Sequence, residues 1–153
     1  MLKVGDPCPD FNLEDQNGNW VSAQSLKGSK FLVWFYPKAS TPGCTTEACG
    51  FRDLASEFAG VGTAILGASA DSERRQANFA EKNELSYPLL SDPEHVILEP
   101  WGVWGEKKNY GRTYMGIKRS TFLLDGDGVV RHVWRNVRVK GHVDAVLKAA
   151  RDL

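Results

Sequence analysis

Two cysteines stand five positions apart in Cys44-Thr45-Thr46-Glu47-Ala48-Cys49, directly after Pro42-Gly43. Cysteine chemistry is nucleophilic, metal-binding or redox, and in each case the thiolate performs it. Phe51, Leu54 and Phe58 follow at helical spacing, and Pro42 suits a first helical position. The spacing predicts one long helix from about Pro42 past Phe58, with Cys44 in its first turn. There the unpaired backbone N–H groups and the positive end of the helix dipole both favour a thiolate. Position alone equally suits a buried structural cysteine, since free cysteine is among the most buried residue types. Cys49 tips the balance toward redox chemistry. A step of five along a helix turns the chain by about 500° and raises it about 7.5 Å, which puts the two Cα atoms about 8.6 Å apart. A disulfide needs less than about 7 Å. A Cys44–Cys49 bond therefore requires this helical turn to unwind, and the pair would be a redox element with two conformations.

Composition narrows the classes. At 153 residues, 42% hydrophobic and 25% charged, the chain fits one globular domain spanning 1–153 with a real core. Lys+Arg and Asp+Glu are equal at 19 each, so no field of one sign recruits nucleic acid or an anionic membrane, and the expected partners are small molecules or proteins. The N-terminal MLKVGDPCPDFNLEDQ has neither a signal-peptide core nor a transit-peptide pattern, and no segment approaches 18 apolar residues; a cytoplasmic protein is expected. Three cysteines, Cys8, Cys44 and Cys49, are too few for a secreted disulfide scaffold and lack zinc spacing, so neither metal nor cofactor is expected. Cys8, between Pro7 and Pro9, reads as extended and incidental.

The elements that must position Cys44 read as follows. Phe31-Leu32-Val33-Trp34-Phe35-Tyr36 is an unbroken apolar run of strand length, ended by Pro37. Before it, Phe11–Leu13 and Trp20–Val21 flank a turn containing Asn17-Gly18, a hairpin signal, and Leu26–Ser29 reads as a turn. After it, Thr63–Ser69 reads as a second buried strand, Asp71-Ser72 as a cap and Glu73–Asn83 as a helix with Gln76, Phe79 and Ala80 inward. Strand, helix, strand, helix is a parallel βαβ pattern. Pro88–Asp92 is a short third strand segment. Glu94–Leu98 reads as a short helix with His95 facing solvent, and Pro100–Lys118 as a long loop. Ser120–Leu124 and Val129–Trp134 form a hairpin about Asp125-Gly126-Asp127-Gly128, and Val143–Leu153 a closing helix. The basic run Arg131, His132, Arg135, Arg138, Lys140 and His142 reads as a solvated strand edge. The order is α/β: a thioredoxin-like arrangement with an N-terminal hairpin extension and a central mixed sheet flanked by helices.

These residues resemble a peroxiredoxin of the Q type, the bacterioferritin comigratory protein subfamily. Pro37 through Cys44 fits the family's PxxxTxxC signature, and FYPKASTPGCTTEACGFRD, YPLLSD, WGVWGEK and MGIKRSTFLLD are similar to subfamily motifs in the same order across nearly the whole chain. Ala39 and Ser40 stand where relatives are often acidic, and Cys8 where alanine is commoner. The resemblance implies that Cys44 is the peroxidatic cysteine, attacking hydrogen peroxide or an alkyl hydroperoxide and becoming a sulfenic acid. It implies that Cys49 resolves that acid as an intrachain disulfide, the atypical two-cysteine scheme, because Glu73–Asn83 holds no cysteine. Thr41 would aim its hydroxyl at the peroxide and Pro42 would shield the thiolate. Arg119 would be the cation that stabilises it, and Glu47 would hydrogen-bond within the same network. Thioredoxin or a similar dithiol would restore the thiols, and a monomer is expected. Two other classes stay in view. One is a thioredoxin-like disulfide reductase, against which stands the absence of CxxC; the other is a peroxide-sensing relay that passes oxidation to partners.

Overall fold

The computed structural model describes residues 1–153. The chain runs β1 (Asn12–Glu14), β2 (Trp20–Ser22), α1 (Ala23–Leu26), β3 (Lys30–Phe35), α2 (Pro42–Asp53), α3 (Ala55–Gly60), β4 (Thr63–Ser69), α4 (Glu73–Asn83) and β5 (Leu89–Ser91). It continues through β6 (Trp104–Asn109), β7 (Arg112–Ile117), β8 (Ser120–Leu124), β9 (Val130–Arg135) and α5 (His142–Asp152).

β3 is the centre of a five-stranded mixed sheet in the order β5-β4-β3-β8-β9. It pairs in parallel with β4 and antiparallel with β8. Its apolar run has no alternation because both faces are covered. Phe31, Val33 and Phe35 enter one core cluster with Trp101 and Phe122, whereas Leu32 and Trp34, with Tyr36 just beyond the strand, enter another with Cys44, Ala48 and Phe51. α2 lies on the second face, where the Phe51 ring stacks on Trp34 with centroids 5.6 Å apart. A strand feeding a helix across this face puts the N-terminus of α2 at the C-terminal end of β3, the end at which open α/β sheets present their chemistry. This is the thioredoxin-like α/β fold. No helix is long and apolar enough to cross a membrane.

Several expectations are met: β4, α4 with Ser72 as its cap and β8 fall on the expected bounds, and the β1–β2 hairpin, β9 and α5 fall within a residue of them. Others are corrected. The long helix breaks at Leu54, whose φ of −103° and ψ of 11° close α2 and open α3, and the bend keeps Phe58 against Phe51. Ala23–Leu26 is a short helix fixed by a Ser22–Ser25 capping box. Glu94–Leu98 is not a helix, because the buried Asp92 carboxylate accepts the N–H groups of Val96, Ile97 and Leu98 and organises an irregular turn. His95 there has a φ of 60° and lies against Trp104, with ring centroids 4.0 Å apart.

Pro100–Lys118 is not a loop. Most of it is the β6–β7 hairpin, closed by Tyr110-Gly111, both at positive φ. The basic run divides as well. Arg131 and His132 lie exposed on edge strand β9, but Arg135 donates to the carbonyls of Leu2, Trp101 and Gly102, and His142 is buried.

Candidate active site

Cys44 is the third residue of α2, and its side chain is fully buried. The first turn forms because Pro42 supplies a preset φ at the first helical position and Thr45 donates its backbone N–H to the Thr41 carbonyl at 2.9 Å. Thr41 is the N-cap residue but makes no side-chain cap; its hydroxyl donates to the Lys38 carbonyl at 2.8 Å. Ser40, at a φ of 66°, turns the chain into this cap. The loop is pinned from behind, where the Asp71 carboxylate accepts the Ala39 N–H at 2.8 Å and the Ser69 hydroxyl at 2.7 Å.

The cation arrives from the strand next to β3 in the sheet. Arg119 directly precedes β8, and antiparallel pairing of β8 with β3 brings it to the end of the strand where α2 begins. Its Nη2 donates to Cys44 Sγ at 3.4 Å, and its Nη1 donates to Glu47 Oε1 at 2.7 Å. Gly43 makes this approach possible: a Cβ there would sit 3.2 Å from Nη2. Glu47, one turn after Cys44, is fully buried, and burial pushes its carboxyl up to about 7 against the opposing hydrogen bond and charge of Arg119.

Two further residues join the site that sequence reading places elsewhere. His142, at the start of α5, faces Glu47 Oε2 at 3.8 Å, and its Nε2 lies 2.8 Å from Thr121 Oγ1. Burial, then the charge of Arg119, lowers its ionisation to about 4. Lys107, on β6, donates to the Ile117 carbonyl at 2.9 Å; its ionisation is lowered first by burial and then by Arg119, while the Cys44 charge opposes both. A groove of about 520 Å³ runs between α2 and the segment entering α5, lined by Pro42, Gly43, Gly50, Val139, Gly141 and Val143. A second groove of similar size, about 510 Å³, includes Trp20, Glu73 and Val96 and shares none of the site's residues.

Cys49 lies on another face of α2. Its thiol is half-buried and reaches Asn83 Oδ1 at 3.8 Å, at the end of α4. Both cysteines are free and α2 is intact across them, so the structure holds the unbridged, helical arm of the pair. Cys8 is also free; burial and then the charge of Asp10 push its thiol up to about 11, the opposite of activation.

A thiol buried under a guanidinium at a helix N-terminus of a thioredoxin-like fold defines a class, that of cysteine-dependent redox enzymes. Comparison with known proteins narrows it. Residues 4–133 match the AhpC/TSA family. The chain is 47% identical over 146 residues to the peroxiredoxin Bcp of Escherichia coli strain K12, covering 95% of this chain and 94% of the relative. It is 44% identical over 152 residues to the peroxiredoxin Bcp of Bacillus subtilis strain 168, covering 99% and 97%.

Among solved structures, the Xanthomonas campestris bacterioferritin comigratory protein, described for its alkyl peroxide reduction activity, superposes with a TM-score of 0.90 at 38% identity, covering 99% of this chain and 97% of that one. A cysteine-to-serine mutant of Xylella fastidiosa PrxQ gives 0.95 at 29% identity, with the same coverage. The chain belongs to the AhpC/TSA family and, within it, to the Q-type peroxiredoxins, which are thiol peroxidases.

Proposed function

We propose that Cys44 is the peroxidatic cysteine of a dithiol-recycled hydroperoxide reductase, and the observation that carries this is the Arg119 contact to its buried sulfur. The Cys44 thiolate attacks the terminal oxygen of ROOH. An S–O bond forms, the O–O bond breaks, and ROH leaves with a proton while the sulfur becomes a sulfenic acid. The Arg119 fork stabilises the thiolate and is placed to donate to the peroxide oxygens as charge moves onto the leaving one. Glu47 fixes the fork by its bond to Nη1. Peroxide enters by the groove that passes over Gly43, where Pro42 shields the sulfur without offering an N–H. For Thr41 to meet the peroxide, its hydroxyl gives up the Lys38 carbonyl.

Resolution follows from helix geometry. The Cys49 thiolate attacks the Cys44 sulfur, the S–S bond forms and water leaves. With about 8.6 Å between Cα atoms in an intact helix, α2 must open locally first. An external dithiol such as thioredoxin then reduces the bond in a cytoplasmic setting, and because both cysteines lie on one chain, a single-domain monomer suffices.

The experiment is coupled NADPH consumption through thioredoxin and its reductase on adding peroxide. Cys44→Ser abolishes it. Cys49→Ser forms the sulfenic acid but not the intrachain disulfide, and normal turnover of that variant would remove Cys49 from the required role.

A further inference from the structure

The Glu47–Arg119 pair leaves half of the carboxylate unused. Oε2 of Glu47 is buried and has no hydrogen-bond partner. Such an atom is rare in a folded protein and costly when charged. It faces His142 Nε2 at 3.8 Å. His142 is 6% exposed, and its ring stands edge-on to Phe51 and Trp134, with centroids 6.5 Å and 5.7 Å away. A ring so enclosed beside a guanidinium is neutral, with one nitrogen donating and the other accepting. If Thr121 donates its hydroxyl to Nε2, that nitrogen is the acceptor, and a proton-bearing carboxyl oxygen that closes the 3.8 Å gap competes with Thr121 for its single lone pair.

We propose that His142 is a positioning residue of the peroxidatic site: when Glu47 carries a proton, Oε2 donates it in a hydrogen bond to His142 Nε2, and this buried pair governs how Arg119 divides its charge between carboxylate and thiolate. The proposal rests on Cys44 being peroxidatic. With both Cys44 and Glu47 ionised, one guanidinium faces two anions in a buried cluster. A proton taken from solvent onto Oε2 leaves a neutral thiolate–guanidinium pair. Once oxidation removes the thiolate, Oε2 releases that proton to solvent and the carboxylate again balances Arg119.

The groups facing Glu47 are Arg119 before β8 and His142 on α5, with Thr121 of β8 behind the imidazole, and Cys44 on its own helix shares the Arg119 guanidinium. The Tyr87 phenol also lies within the field of Glu47, and Lys107 of β6 lies within that of Arg119 and Cys44. The elevation of Glu47 to about 7 by burial places its ionisation where ordinary changes of pH can move it.

The test is infrared difference spectroscopy of the full chain through a pH titration, following the C=O stretch of the protonated carboxyl. Wild type is expected to show a buried carboxyl titrating near neutrality that Glu47→Gln abolishes. In His142→Phe the stretch moves to higher frequency and the midpoint falls by about 0.7 pH unit, the equivalent of one lost hydrogen bond. His142→Gln keeps an acceptor and stays near wild type. Thr121→Val removes the competing hydroxyl and raises the midpoint, which keeps the proposal testable if His142→Phe does not fold.

An unchanged or raised midpoint in His142→Phe, or an unchanged one in Thr121→Val, overturns the proposal. Cys44→Ser separates the two claims. It keeps a titrating carboxyl band while losing peroxide consumption; retained consumption would refute the peroxidatic reading and leave the band as evidence on His142.

Discussion

α2 and α4 follow neighbouring parallel strands of one sheet, yet they are built oppositely. α4 is capped by Ser72, which accepts the Arg75 N–H at 3.3 Å, with Glu73 in its first turn, Lys82 in its last and Glu84 in the left-handed conformation at its end. α2 has no side-chain cap, carries Gly43 and Gly50, and places Thr45 and Thr46 side by side, their hydroxyls bonding back to the Thr41 and Pro42 carbonyls at 2.8 Å and 3.0 Å. Each glycine costs a helix about 0.8–1 kcal/mol relative to alanine. α2 is held largely from outside. The Tyr87 hydroxyl donates to the Ala48 carbonyl, Arg52 donates to the Asn83 carbonyl at the end of α4, and Glu47 accepts from Arg119. The helix that carries Cys44 and Cys49 is intrinsically weak and tied to one that is intrinsically sound, which is the construction the proposed cysteine pair needs if it must react folded and bond unfolded.

That contrast can be broken at several points. The largest effect is expected from Cys44→Ser, which ends peroxide turnover altogether, whereas no single change on the exposed face of α4 does so; peroxide consumption with an excess of dithiol measures it. Arg119→Met, which keeps bulk but removes both donors, lowers the rate of Cys44 oxidation by about 10²–10³-fold, read by stopped-flow tryptophan fluorescence. Ser72→Ala removes the α4 cap and costs about 1 kcal/mol in urea unfolding, with turnover unaltered at temperatures where the protein stays folded. The smallest effect belongs to Thr46→Ala at an exposed position of α2, where the better helix former slows disulfide formation about twofold relative to sulfenic-acid formation. A faster disulfide in that variant would mean that helix strength does not gate resolution.

The sequence displays the contrast unevenly. β3 is legible because six apolar residues in a row, mostly aromatic or β-branched and ended by Pro37, have the length and composition of a strand covered on both sides, and α2 because proline, cysteine and the following aromatics fall in helical phase. The break at Leu54 leaves no trace, since Phe58 stays in phase with the core on either side of it. The β6–β7 hairpin is hidden because neither face is buried: its residues are exposed or half-buried until Ile117, so no alternation marks it as strand. Arg119 stands out only through its motif, being 75 positions from Cys44. His142 lies in a run of basic residues whose composition reads as solvated edge, and only the return of α5 against α2 and β8 makes it a buried partner of Glu47. Side chains assembled from four elements leave no local periodic signal; a cysteine placed by its own helix does.

The most direct test of a weak helix carrying a cysteine pair is intact mass after one equivalent of peroxide, followed by peptide mapping. Loss of two hydrogens is expected, with the linkage mapped between Cys44 and Cys49 and Cys8 free. Gain of a single oxygen that persists on Cys44 while Cys49 stays a thiol, or a linkage through Cys8, would contradict it.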